Sequence, residues 1–170
     1  MKMRNYLLGW AACFVAVTSG IQAEGEISGG VKSSDSIKAE ARAQAQKITV
    51  KQIKIMETTG EKFILIDIRT EDEYDAAHIE GSVWIPRGQL EFKIQKLTEN
   101  PKAKLVLACR TGSRSALAML SLKEIGYQNA FSLEGGFVAW VEAGYSVFNR
   151  HGELKVVDYG KEEKVTVEAP

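Results

Sequence analysis

Lys104-Leu105-Val106-Leu107-Ala108-Cys109-Arg110-Thr111-Gly112-Ser113-Arg114-Ser115 joins an apolar run to a helical pattern through one short polar loop. Leu105 to Ala108 are apolar without alternation, which predicts a strand buried on both faces of a parallel sheet. From Ser115 to Ile125 the apolar positions Ala116, Leu117, Ala118, Met119, Leu120, Leu122 and Ile125 predict a helix with a broad buried face, ended by Gly126. Strand, loop and helix in that order make half of a parallel α/β unit.

The same alternation extends outward in both directions. Upstream, Phe63-Ile64-Leu65-Ile66 reads as a second buried strand with Asp67-Ile68-Arg69 at its end. Thr70 and Glu73 then have the spacing of a capping box, so a helix starts there. Gly81-Ser82 turns the chain into Val83-Trp84-Ile85, a short strand stopped by Pro86. Leu90, Ile94 and Leu97 have helical spacing, broken at Asn100-Pro101. Downstream, Asn129 to Leu133 reads as a strand, and Gly135-Gly136 leads into a short helix over Phe137 to Val141, ended at Gly144. The folded part opens near Ile48. Arg150 to Pro170 is a charged tail expected outside the main core, with alternation suited to an added strand pair.

The first 23 residues read differently. Lys2 and Arg4 precede an apolar run from Tyr6 to Val17, and smaller residues lead to Ala23 before an acidic stretch. This is the pattern of a secretory signal peptide, with cleavage expected after Ala23 and a periplasmic or secreted destination. The run is shorter than the roughly 20 residues that cross a bilayer, so no stable membrane span is expected after processing. Residues 24–47 are Gly/Ser-rich and then rich in Ala, Gln and charge, which predicts a flexible lead into a short exposed helix without chemistry of its own.

Composition narrows the function classes. Twenty-two basic and 22 acidic residues balance over 170, which removes the electrostatic footprint of a general nucleic-acid binder. Cys13 lies in the leader, so the processed chain keeps one thiol, Cys109, and cannot form an internal disulfide. Neither His78 nor His151 stands at a metal-ligand spacing with that thiol, and no metal or cofactor is expected.

The chemistry concentrates in the loop Cys109 to Arg114. A loop wrapped around a helix N-terminus can turn several amides inward and cradle an anion. The helix dipole, Arg110 and Arg114 all favour the thiolate of Cys109 over the thiol. In open α/β sheets ligands bind at the carboxyl ends of the strands, where this loop sits. A nucleophilic sulfur in a cationic, donor-lined bowl calls for a small anionic substrate. Thr111, Gly112 and Ser113 are expected to act through backbone amides, with Arg110 better suited than Arg114 to touch the substrate. Asp67 and Arg69 are expected to support the loop from behind through hydrogen bonds and an ion pair, with Glu73 a candidate partner.

Five ordered blocks resemble the rhodanese-like family: Leu65-Ile66-Asp67-Ile68-Arg69; Glu73-Tyr74 with Ala77-His78-Ile79-Glu80-Gly81-Ser82; Val83-Trp84-Ile85-Pro86; Cys109 to Ser115; and Leu133-Glu134-Gly135-Gly136 through Trp140 to Val147. Ala77, Trp84 and Ser146 depart from the family's usual glycine, asparagine and proline, none of them in the loop. The resemblance implies an α/β fold with a central, mostly parallel five-stranded sheet flanked by helices on both faces, over residues 48–149. It also implies sulfur transfer in two steps: from thiosulfate or a similar anionic donor to Cys109 as a persulfide, then to a thiol or protein acceptor.

Two alternatives belong to other classes. Rhodanese-like domains also serve as binding or sulfur-carrier modules without catalysis. Phosphatases and arsenate reductases that resemble the family have five residues between the loop cysteine and arginine, whereas four separate Cys109 from Arg114. The shorter loop suits one added sulfur atom better than a tetrahedral phosphate.

Overall fold

The computed structural model describes residues 30–155. The leader over residues 1–23, the first part of the extension and the tail beyond residue 155 lie outside the described residues. Strands β1 (Lys47–Ile48), β2 (Ile64–Asp67), β3 (Val83–Trp84), β4 (Leu105–Ala108) and β5 (Ala130–Leu133) form one sheet in the order β1-β5-β4-β2-β3. Every pairing in it is parallel, so the expected five-stranded sheet is present without an antiparallel member.

The apolar run of β4 is sorted by the period of two. Val106 and Ala108 join a core layer with Ile53 and Met56 of α2 (Val50–Thr59) and Phe137, Trp140 and Val141 of α6 (Gly136–Glu142). Leu105, Leu107 and Cys109 join the opposite layer, with Leu90 and Ile94 of α4 (Leu90–Leu97) and Ala118, Met119 and Leu122 of α5 (Ser113–Glu124). Strand alternation thus sends the sulfur to the α5 side. Continuous hydrophobicity is what two covered faces require.

Sequence signals hold where the chemistry behind them is local. Thr70 and Glu73 form a reciprocal capping box at the start of α3 (Glu71–Ala76). α2 and β1 are additions: the sequence reading puts only the opening of the domain near Ile48, because α2 carries three buried residues among polar ones. α5 begins at Ser113, two residues before the expected start at Ser115, since its first turn carries polar side chains and the apolar spacing begins only at Ala116. At the other end, β6 (Val147–Asn149) and β7 (Gly152–Leu154) pair antiparallel. This strand pair crosses the expected boundary at residue 150, and it is tied to the core rather than apart from it. Val147 is fully buried, and Phe148 exchanges two 2.8 Å backbone hydrogen bonds with His78. Among the described residues no helix is long and apolar enough to cross a membrane.

The extension differs from expectation in its packing. Helix α1 (Ser34–Gln44), capped by Ser33, forms where a short exposed helix is predicted, yet it packs on α5. Ala41 is 2% exposed. Small side chains at Ala41 and Ala45 let the two helices approach where bulky ones would hold them apart. An Ala/Gln-rich composition does not reveal such a docking face.

At the carboxyl end of β2, Asp67 and Arg69 are both almost wholly buried and pair with each other. The Arg69 guanidinium donates to both Asp67 carboxylate oxygens at 2.7–3.0 Å, and the Arg69 amide adds a 2.9 Å bond. Arg69 Nη2 also donates to the Ala77 carbonyl at 2.6 Å, and its guanidinium lies 4.0 Å over the Phe137 ring. Glu73 is therefore not the partner. A buried guanidinium needs its charge matched and its donors filled at once, and Asp67 two residues away does both. Arg69→Met should cost about 3–5 kcal/mol by leaving Asp67 charged and alone, and Asp67→Asn/Arg69→Met should recover part of that loss. Urea denaturation of the three proteins checks this; a single variant as stable as the double contradicts it.

Candidate active site

β4 ends at Ala108 and delivers Cys109 to the switch from strand to loop, at the centre of the sheet between β2 and β5. The thiol is 1% exposed, yet Cys109 lines an open cleft of about 500 Å³ together with Lys38, Arg110, Thr111, Ser113, Arg114, Val138 and Glu142. Its sulfur accepts from the Gly112 amide at 3.2 Å and the Ser115 amide at 3.4 Å. The Ser115 hydroxyl lies 3.5 Å from the same sulfur and 2.8 Å from the Ser132 hydroxyl. Two amides thus converge on the sulfur, and the thiol in turn donates to the Ser115 hydroxyl.

The loop holds that shape because its carbonyls are taken from outside. Cys109 O accepts from the Phe137 amide at 2.8 Å and Arg110 O from the Val138 amide at 3.0 Å, which satisfies two first-turn donors of α6. The Gly112 carbonyl accepts from Ser115 Oγ at 3.1 Å and Ser132 Oγ at 3.3 Å. Gly112 itself caps α5 at φ +89°, a conformation that side chains rarely adopt. Gly136 is required by proximity as well as by φ +62°: a Cβ there would sit 2.3 Å from the Cys109 carbonyl oxygen. With its carbonyls turned away, the loop presents amides to the sulfur.

Each expected loop residue has a distinct place. Of Thr111, Gly112 and Ser113, only Gly112 brings its amide to the sulfur; the second amide belongs to Ser115, which the sequence reading treats as the start of a helix. The amides of Thr111, Ser113 and Arg114 have no hydrogen-bond partner among the described residues, leaving them to water or a bound anion. Arg110 is exposed and makes no ion pair among the described residues. Arg114 is committed: Nη1 and Nη2 donate to the two Glu73 oxygens at 3.1 and 3.0 Å. The Asp67 and Arg69 side chains bond to each other, and Arg69 to Ala77, rather than to any loop residue among the described residues. They meet the loop through Phe137, whose ring lies under Arg69 and whose amide donates to the Cys109 carbonyl.

Charge at the rim follows from these pairs. Burial by itself would raise the Glu73 carboxyl, but Arg114 and the Thr70 amide outweigh it and hold the group down to about 2. Arg114 is raised in turn, chiefly by Glu73, against its partial burial, with the nearby Cys109 sulfur contributing. Sequence reasoning misses Ser132, Arg42 and Lys38. Ser132 comes from β5, and Arg42 Nη2 reaches from α1 to the Thr111 carbonyl at 3.0 Å. Nothing in their local sequence announces those contacts. The Glu73–Arg114 pair has a signal, an acidic residue in the block after β2, but its partner lies 41 positions away. A second hollow of about 370 Å³ shares Thr111 with the cleft, is lined among others by Arg42, Lys47, Ser132 and Glu134, and is not bordered by Cys109. Among the described residues no group of three or more His, Cys, Asp or Glu converges to hold a metal.

Because the folded Glu73 carboxyl titrates below its ordinary value of 4.5, its contribution is complete above that value and is lost as pH falls from about 4.5 towards 2. Glu73→Gln should therefore flatten part of the acid limb of the stability profile. The pair is partly open to water, so the effect is at most about 1 kcal/mol. Chemical denaturation at pH 7, 4.5 and 3 checks it; an unchanged acid limb contradicts it.

Comparison with known proteins agrees with this architecture. The family model for the rhodanese-like domain matches residues 49–143. The probable adenylyltransferase/sulfurtransferase MoeZ of Mycobacterium tuberculosis is 36% identical over 115 residues, covering 66% of this chain and only 28% of that protein. The thiosulfate sulfurtransferase GlpE of Pseudoalteromonas translucida is 34% identical over 87 residues, 51% of this chain and 79% of its own. Among solved structures, a protein of unknown function from Rhodopseudomonas palustris, described as a possible tyrosine phosphatase, superposes with a TM-score of 0.58 at 30% identity, covering 68% of this chain and 93% of that one. The five parallel strands, the cysteine loop at the end of β4 and a match across more than half the sequence establish that the chain belongs to the rhodanese-like domain family.

Proposed function

We propose that the protein is a sulfurtransferase that carries sulfane sulfur as a persulfide on Cys109. The observation that carries this reading is the convergence of the Gly112 and Ser115 amides on the Cys109 sulfur. Fixed donors aimed at a reacting atom stabilise the charge that gathers there without reorganising during the reaction.

With thiosulfate as donor, the Cys109 thiolate attacks the outer sulfur. A new S–S bond forms as the S–S bond of the donor breaks, and sulfite leaves with the bonding electron pair. The negative charge then rests on the terminal sulfur of the cysteine persulfide. An acceptor, cyanide or a thiolate, attacks that terminal sulfur and regenerates the Cys109 thiolate, giving thiocyanate or a new persulfide. No proton donor is needed in either step. Arg110, exposed and without an ion pair among the described residues, is suited to the anionic remainder of the donor. Ser113 and Thr111 offer amides at the same rim.

Thiosulfate is favoured by the surplus of cations at the cleft and by the donor named for the Pseudoalteromonas relative. Phosphate-ester hydrolysis, the activity suggested for the Rhodopseudomonas protein, is disfavoured by the loop. Its four residues between Cys109 and Arg114 draw the amides close around the sulfur. The secretory pattern of residues 1–23 extends the proposal to an exported protein.

Intact mass measurement after incubation with thiosulfate should show the gain of one sulfur atom, mapped to Cys109 and discharged by cyanide. Cys109→Ser should take up none and lose thiocyanate production to background. A wild-type protein that gains no sulfur from thiosulfate or a persulfide donor, or that hydrolyses p-nitrophenyl phosphate through Cys109, overturns the assignment. For export, the N-terminus of protein recovered from the native host should be Glu24; a chain still beginning at Met1 contradicts it.

A further inference from the structure

Helix α1 lies outside residues 49–143, the span shared with the family, yet it reaches the cysteine loop at two points. Arg42 ties the helix to the Thr111 carbonyl, and Lys38 lines the cleft with Cys109, Arg110 and Arg114. The two basic residues are four apart, so they occupy one face of the helix. The small residues Ala41 and Ala45 fall on the adjacent face. Ala45 packs against the layer that holds Ala118, Met119 and Leu122 of α5. One helix therefore presents small residues to the domain and basic residues to the loop.

The charges around the cleft are not equally available. Arg114 has most of its charge matched by the two Glu73 oxygens, although its guanidinium also reaches the Cys109 sulfur. Arg110 has no ion pair among the described residues, and Glu142 opposes it with a single negative charge. Lys38 Nζ lies 3.0 Å from Asp35, one turn earlier on the same helix, but the Asp35 side chain is 90% exposed. Such a surface pair contributes little and is readily exchanged for a better anion. Thiosulfate carries two negative charges and must approach a thiolate, a repulsion that one exposed guanidinium offsets only in part. A second free cation is needed most for a doubly charged donor.

We infer that Lys38 is an anion-binding residue of the Cys109 cleft, carried there by a helix added outside the family span and anchored through Arg42, and that it favours doubly charged sulfur donors over singly charged ones. This inference rests on the sulfur-transfer reading for its substrate, though not for the anion contact itself. The ammonium binds the sulfonate end of the donor and takes no part in making or breaking the S–S bonds.

Lys38→Gln should raise KM for thiosulfate about two- to fivefold, the size of one partly solvated charge contact, with kcat unchanged. KM for methanethiosulfonate, a single anion, should rise less. Lys38→Arg should keep the wild-type values, and Lys93→Gln on α4, which removes the same charge elsewhere, should leave both constants unaltered. A second measurement needs no turnover: sulfate should slow alkylation of Cys109 by iodoacetamide, and Lys38→Gln should weaken that protection while Lys93→Gln does not. Unchanged KM and unchanged sulfate protection in Lys38→Gln overturn the inference, as does a wild-type protein that sulfate fails to protect. If no donor loads Cys109, the sulfur-transfer reading falls and the sulfate experiment alone decides the role of Lys38.

Discussion

The site depends on how the two carbonyls of Cys109 and Arg110 are satisfied. Both are taken by the first-turn amides of α6, and that single contact turns the loop so that its own amides face the sulfur. The contact is possible only because Gly136 lets the backbones meet where a Cβ would overlap the Cys109 carbonyl oxygen. Helix α5 supplies the other half of the clamp, with Gly112 as its left-handed cap and Ser115 in its first turn. The two helix ends do different work: α6 consumes the loop's acceptors, and α5 contributes donors. Cys109 is nearly inaccessible by area yet opens onto a cleft.

Electrostatics follow a division between charges that hold the structure and charges left for a ligand. Asp67 and Arg69 neutralise each other within the core and tie the end of β2 to Ala77 and the Phe137 ring. Glu73 fills the first turn of α3 and clamps Arg114 in one stroke, joining the segment after β2 to the segment after β4. Arg110 and Lys38 remain outside such pairs or are bound only loosely. Of the two loop arginines only Arg110 is without an ion pair among the described residues, and α1 brings the Lys38 ammonium to the same cleft.

Much of this fold is legible in the sequence because its signals are local or strictly periodic. Leu105 to Ala108, the Thr70–Glu73 spacing and Gly135-Gly136 each act within a few residues of themselves, and each forms the element it implies. The departures share one cause. Glu73 pairs with Arg114 rather than Arg69, the hydroxyl of Ser132 reaches the loop from another strand, and α1 docks on the domain instead of standing apart. Each involves partners far apart in sequence and close only after the sheet has assembled.

Sequence alone determined the α/β class and placed Cys109 in a short six-residue loop between strand and helix, because alternating apolar runs and a strand–loop–helix junction are chain-local properties. Only the tertiary structure decided which amides meet the sulfur, which arginine is free and which helix supplies the extra cation. Those outcomes depend on the order β1-β5-β4-β2-β3, which brings the ends of β2, β4 and β5 and the face of α1 to one place. A side chain's partner is set by distance in space, and along this chain the decisive neighbours are tens of residues apart.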